Sequence, residues 1–186
     1  MYPSYSISAN TLSDLGVGPQ SLLYNSSALL LGLLTIIGTC FLQRAYNFKM
    51  LTITLALAGI GILGHGIANE NIPPYHLILA FIAFLFGGLS AIFTVICSHI
   101  HKFKLLKTPF PAISVVLGVT TLGALILFIS NTFLETQVFM EIGTGGIERM
   151  IAYPALIWLI GFGAHLIALP QKRTTSKTTV MLDNTH

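Results

Sequence analysis

Five apolar runs occupy most of this sequence, each near the ~20 residues that cross ~30 Å of hydrocarbon as a helix. They lie at about 23–42, 50–67, 75–97, 111–130 and 150–169. Gln43 and Arg44 end the first, the Pro109 and Pro111 pair starts the fourth, and Pro170 stops the fifth. Backbone N–H and C=O groups find no water in lipid, so all five are expected to be helices. Mean hydropathy is +0.82, and only 8% of residues are charged. A soluble domain carries about 25% charged residues, so this apolar content reflects lipid as the solvent. The expected fold is all-α, a polytopic transmembrane helical bundle over residues 23–170. A segment 1–22 precedes it and a polar tail 171–186 follows it.

Charge orients the bundle. Eight of the nine Lys and Arg residues fall on one side of the runs: Arg44, Lys49, Lys102, Lys104, Lys107, Lys172, Arg173 and Lys177. Five of the six acids fall on the other: Asp14, Glu70, Glu135, Glu141 and Glu148. Arg149 is the one cation among them. Basic loops stay cytoplasmic, so the N-terminus is expected outside and the C-terminus, with its 171–186 tail, inside. Residues 1–20 lack a basic region followed by an apolar one, so they read as an extracytoplasmic segment and not as a signal peptide. The localisation expected is the plasma membrane. Cys40 and Cys97 lie near the basic side, where a reducing cytosol keeps thiols free. No basic stripe is interleaved with aromatics, so nucleic acid is not an expected partner.

Small residues punctuate the runs. AGIGILGHG in the second, Gly87, Gly88 and Ser90 in the third, and GFGAH in the fifth allow close helix approach where lipid supplies little drive for association. Thr35, Thr39, Thr94, Ser114, Thr120 and Thr121 read as intramembrane hydroxyls that bond carbonyls of the preceding turn. No charge falls in the middle third of any run, which argues against a proton relay or a charged-solute transporter. A small-solute transporter ranks last among the functional readings. Residues 131–147 form the longest outer connection, and FLETQVFMEI has helical apolar spacing suited to lying at the membrane surface. The GTGG that follows can turn the chain back into the bilayer.

One polar constellation gathers on the acidic side. Asp14 lies before the first run, His65 near the end of the second, Glu70 after it and His76 at the start of the third. Glu148, Arg149 and Tyr153 open the fifth. Glu148, Ala152 and Ala155 share a helix face, and Arg149 and Tyr153 lie about 100° around. Two readings stand side by side. In the first, Arg149 neutralises Asp14 or Glu148 in a rim salt-bridge network. In the second, Arg149, Tyr153, His65 and the amides of Gly145 and Gly146 hold a lipid headgroup at a helix N-terminus. Asp14, His76 and Glu148 are then the catalytic candidates, with His76 or His65 as acid or base. Asp14, His65 and His76 have the composition of a two-His, one-carboxylate metal set, but no spacing demands it, so no metal is assigned. GxSxG, HExxH and Walker sequences do not occur, and no cofactor is expected.

SDLGVGPQSLLYNSS, GHGIANENIPPYHLILAFIAFLFGGLSAI and GTGGIERMIAYPALIWLIGFGAHLI resemble the prokaryotic multi-pass family catalogued as domain of unknown function 998. The resemblance covers about residues 4–169. Its signature elements correspond to Ser13–Gly16, to His76, and to Gly146 through Pro154 with Glu148 and Arg149. It implies an integral membrane bundle and no particular reaction. Members often carry a further apolar helix before the SDLG segment, where this chain begins with Met1. The resemblance therefore implies a five-span variant or a start placed late, with one bundle face open to a partner helix.

The function expected is a structural or accessory membrane subunit that packs against partner helices or membrane lipids. The alternative is a membrane-embedded enzyme acting on a lipid headgroup at the outer face.

Overall fold

The computed structural model describes residues 5–100, 106–133 and 142–168. Its elements are a 3₁₀ turn at Ser13–Gly16, then α1 (Ser21–Tyr46), α2 (Lys49–Ile67), α3 (Pro73–Ile100), α4 (Phe110–Phe133) and α5 (Gly143–Ile167). All five helices are long and apolar enough to cross a membrane. Large apolar side chains cover the outside of the bundle, among them Leu30, Leu33, Ile53, Ile78, Val116, Ile126 and Ile160. The same side chains facing water would be a large aggregating surface. The chain is an integral, multi-pass membrane protein.

The turns follow local chemistry. Asn47 adopts the left-handed conformation at φ 54° just past α1, and its N–H reaches the Gln43 carbonyl at 3.0 Å. A left-handed residue at this position closes the last helical turn, and asparagine tolerates it. Gly143, at φ +70°, begins α5. The sequence placed the start of the fifth run near residue 150, but the helix starts seven residues earlier, so Glu148 and Arg149 lie inside it. The connection around FLETQVFMEI falls mainly on residues 134–141, outside the described residues, as do Glu135, Glu141 and the 171–186 tail.

Consecutive helices pack against each other from α1 to α4, and α5 packs on α4 and more lightly on α3. The basic-end core joins Leu42, Phe48, Leu51, Leu55, Ala91, Cys97, Leu106, Trp158 and Phe162. A second cluster, Ala124, Leu125, Ile147 and Ile151, ties α4 to α5 nearer the acidic end. Buried hydroxyls reinforce both. Ser90 donates to Thr54 Oγ1 at 2.9 Å between α3 and α2, and Thr121 donates to the Ile151 carbonyl at 3.3 Å between α4 and α5. Thr35, Thr39, Thr94 and Thr120 bond carbonyls one turn back, as their spacing suggested.

The small residues divide into two kinds. A Cβ on Gly61 would stand 2.5 Å from the Ala83 backbone nitrogen, and one on Gly32 would stand 2.5 Å from the Leu63 nitrogen. Those glycines set the α2–α3 and α1–α2 separations. Gly38, Gly123 and Gly163 meet nothing within 4 Å. Gly61→Ala should therefore lower stability by about 1–3 kcal/mol, because backbone must move to admit the methyl. Gly123→Ala should leave it unchanged or raise it. Thermal unfolding of both variants in one detergent checks the contrast.

Candidate functional site

Residues 5–16 lie across the acidic end of the bundle, and two neighbouring side chains of α5 hold them by their backbone. Glu148 is buried and accepts hydrogen bonds from the Leu12 N–H and, at 2.7 Å, from Ser13 Oγ. Arg149 is equally buried. Its Nη1 donates to the carbonyls of Ile7 at 2.9 Å, Asn10 at 2.8 Å and Gly145 at 2.7 Å, while Nη2 donates to the Tyr5 hydroxyl. A carboxylate only accepts and a guanidinium only donates, so the pair satisfies both halves of the irregular peptide backbone. The rim salt bridge suggested by the sequence does not form. Among the described residues the guanidinium is met by carbonyls and a phenol, not by Asp14 or Glu148.

The helix N-terminus proposed from GTGG to receive an anion is already covered. Gly145 donates its N–H to the Ser8 carbonyl at 3.0 Å. A Cβ on Gly145 would collide with the Asn10 carbonyl, and one on Gly143 with that of Ser8. Gly146 faces the Ile142 side chain. Glycine is required at 143 and 145 because another stretch of backbone lies against them. Tyr153 is half exposed.

The segment itself is organised by a reciprocal pair. Thr11 N–H donates to Asp14 Oδ2 at 3.0 Å, and Asp14 N–H donates to Thr11 Oγ1 at 3.0 Å, which caps the 3₁₀ turn. Asn10 Nδ2 adds a third bond to Asp14 at 2.8 Å. T-L-S-D carries the capping-box spacing, a signal in the sequence that was passed over. Tyr5, Asn10, Thr11 and Ser13 are the contributors that site reasoning from charge alone missed. Asn25, in a weak glycosylation pattern, donates instead to the Gly16 carbonyl at 2.9 Å and ties the segment to α1.

Thr11 Oγ1 also reaches Glu70 Oε1 at 3.2 Å, which joins the segment to the α2–α3 connection. Partial burial, a hydrogen bond to Asp14 and the adjacent charges push Glu70 up to about 7. Asp14 moves the other way. Burial opposes its ionisation, but hydrogen bonds from Asn10, Glu70 and Thr11 outweigh burial and hold its carboxyl below the usual range. Glu70 thus keeps its proton to near neutral pH while Asp14 stays ionised.

The two histidines pack ring to ring with centroids 4.3 Å apart. His76 Nδ1–H donates to the Ala68 carbonyl at 2.8 Å and closes the end of α2. His65 Nε2 pairs with the Tyr24 hydroxyl at 3.1 Å, and its Nδ1 has no partner. Asp14 is turned to Asn10 and Thr11, and among the described residues no group of three His, Cys, Asp or Glu is spaced to hold a metal ion. At the other end, His165 accepts from the Lys107 N–H at 3.3 Å and stacks on Phe110, in keeping with a structural role.

Below the segment lies a cavity of about 280 Å³ between α1, α2, α3 and α5, with Glu148, His65 and Tyr24 in its wall. The site therefore combines a roof held by peptide hydrogen bonds with an apolar space beneath it.

Two predictions follow from these contacts. Arg149→Ala leaves several carbonyls without a donor, each costing about 1–3 kcal/mol if it stays buried. Residues 5–16 should then become cleavable by protease in micelles while the five helices persist by circular dichroism. Glu70, raised in the folded state, binds more protons folded than unfolded between about pH 4.5 and 7. Its stabilisation is complete below the unfolded pKa and is lost as pH rises through about 7. Asp14, lowered, contributes stability that is lost only as pH falls below its ordinary range. Glu70→Gln should flatten the fall in melting temperature between pH 5 and 8, and an unchanged slope would refute the assignment.

No curated protein sequence and no solved structure matches the chain. Residues 1–165 match the family described as protein of unknown function (DUF998), and the chain belongs to that family.

Proposed function

We propose that this chain is a non-catalytic membrane subunit of the plasma membrane of a prokaryotic cell, packing against partner helices or lipids. Its N-terminal segment lies outside and its C-terminus in the cytoplasm. The reading rests on one observation. Glu148 and Arg149, the two most chemically able side chains of the constellation, are both engaged by the backbone of residues 5–16. His76 is engaged in the same way at the end of α2. Ser13 is the serine beside Glu148, and it is buried with its hydroxyl hydrogen given to that carboxyl as part of the same grip on the segment. The partner surface is supplied by α1, which among the helices packs chiefly on α2 and exposes Leu30, Leu33, Ile37 and Phe41 along its length.

The orientation follows from Arg44, Lys49 and Lys107 at the end opposite Asp14 and Glu70. A single cysteine placed at Lys107 in a cysteine-free background should be labelled only from the cytoplasmic side, and labelling of intact cells from outside would reverse the assignment.

Glu148→Gln separates the subunit from an enzyme. Glutamine keeps the volume and still accepts from Leu12 and Ser13. A subunit should therefore keep its complementing activity at normal protein level, with a modest loss of stability. An enzyme using the carboxyl as acid or base should lose about 10²-fold or more. Normal protein level with abolished complementation would overturn the proposal.

A further inference from the structure

Residues 5–16 have two attachments of different kinds. On α5 they are held through their peptide groups. Toward the α2–α3 hairpin they are held through side chains. Thr11 Oγ1 donates to Glu70 Oε1 at 3.2 Å, and the carboxyls of Asp14 and Glu70 are hydrogen-bonded to each other. Glu70 stands in the short connection between Ile67, where α2 ends, and Pro73, where α3 begins. This contact spans the polar end of the cavity, which is lined by Leu12, next to Thr11, and by His65, near the end of α2.

A bond between two carboxyls needs a hydrogen between two oxygens. A protonated Glu70 supplies it, and an ionised Asp14 accepts it. Once both are ionised, each group only accepts, and like charges stand against each other. Asp14 cannot withdraw, because Asn10 Nδ2 at 2.8 Å and the Thr11 N–H at 3.0 Å fix its carboxylate. Glu70 is the freer partner. It is partly exposed on its connection, and Thr11 gives it one further bond. Glu70 is therefore the group that leaves.

The neighbouring elements do not offset that charge. Besides Asp14, the groups in electrostatic reach of Glu70 are Glu148 on α5 and the Tyr24 phenol on α1. On its own hairpin, His65 pairs with Tyr24 and His76 with the Ala68 carbonyl. Arg149 gives its hydrogens to carbonyls and to Tyr5. Burial, the bond to Asp14 and the adjacent negative charge place the release of the Glu70 proton at about 7. We infer that the Glu70–Asp14 contact is a latch operated by pH: it ties the roof formed by residues 5–16 to the α2–α3 hairpin while Glu70 is protonated, and it frees the hairpin from the roof when Glu70 ionises. The grip of α5 on the segment persists in both states. One side of the cavity's polar end, the roof and α5, is thus fixed, and the other, the hairpin, is released.

Pairs of spin labels on introduced cysteines read the latch in the full-length protein in micelles, with Cys40→Ser and Cys97→Ala as the background. One pair joins positions 9 and 71 across the latch, and a second joins 9 and 150 across the α5 grip; Ala9, Asn71 and Met150 are all exposed. As pH rises from about 5 to about 9, the 9–71 distance distribution should widen with a midpoint near 7. The 9–150 distribution should stay narrow. Glu70→Gln keeps the volume, offers Asp14 a hydrogen at every pH and should hold the 9–71 distribution narrow throughout. Glu70→Ala removes the latch and should make it wide throughout, which decides the matter if Glu70→Gln fails to fold. A 9–71 distribution in the otherwise native chain that ignores pH, an equal widening of the 9–150 pair, a transition that survives Glu70→Gln, or a narrow distribution in Glu70→Ala would each overturn the inference.

Discussion

An irregular stretch of chain laid against a membrane bundle must find partners for peptide groups that it withdraws from water. Here two adjacent residues of α5 supply them. Glu148 takes N–H and hydroxyl hydrogens from Leu12 and Ser13, and Arg149 gives hydrogens to the carbonyls of Ile7 and Asn10. Adjacent residues on a helix point about 100° apart, so the segment is gripped at two separate places and cannot pivot about one. The rest of the acidic end depends on this grip. It fixes where α5 begins, covers Gly143 and Gly145, and brings Thr11 within reach of Glu70.

The spans were legible because hydropathy over some twenty residues averages out local detail, and lipid imposes one solution on any such run. The family was legible for a related reason. SDLG and GGIER, which carry the resemblance, meet in space through Ser13 and Glu148. Arg149 was misread because charge attracts attention to charge. Its partners are carbonyls, which every residue carries and no sequence pattern marks. The start of α5 was set too late because GTGG looks like a loop by composition. Only one of its glycines is left-handed, and another is needed for close approach. The roles of Thr11 and Asn10 were available in the T-x-x-D spacing, but the cavity was not. It depends on which two helices fail to pack, a tertiary fact with no local signature.

The acids at this end divide their work by environment. Asp14, with donors on Asn10 and Thr11, stays ionised, and Glu70, with fewer donors and a charged neighbour, holds its proton to about neutral pH. A protonated Glu70 beside an ionised Asp14 avoids the repulsion of two carboxylates. The attachment of the segment to the α2–α3 connection is thus sensitive to pH, while its attachment to α5 rests on peptide hydrogen bonds.

Glycine has opposite consequences on the two sides of α1. Toward α2, Gly32 brings backbones into contact, and toward α5, Gly38 and Gly163 leave space. A bundle packed in series from α1 to α5 has no reason to close on itself in the membrane, because lipid fills a gap between helices about as well as a side chain does. Among the described residues, hydrogen bonds close the acidic end, where the segment preceding α1 is bonded to the top of α5 and, through Asn25, to the top of α1. A ring tied at its rim and open along its wall necessarily encloses a slot between its first and last helices. Glu148 stands where the tie meets the slot. One carboxyl therefore holds the roof and borders the space beneath it.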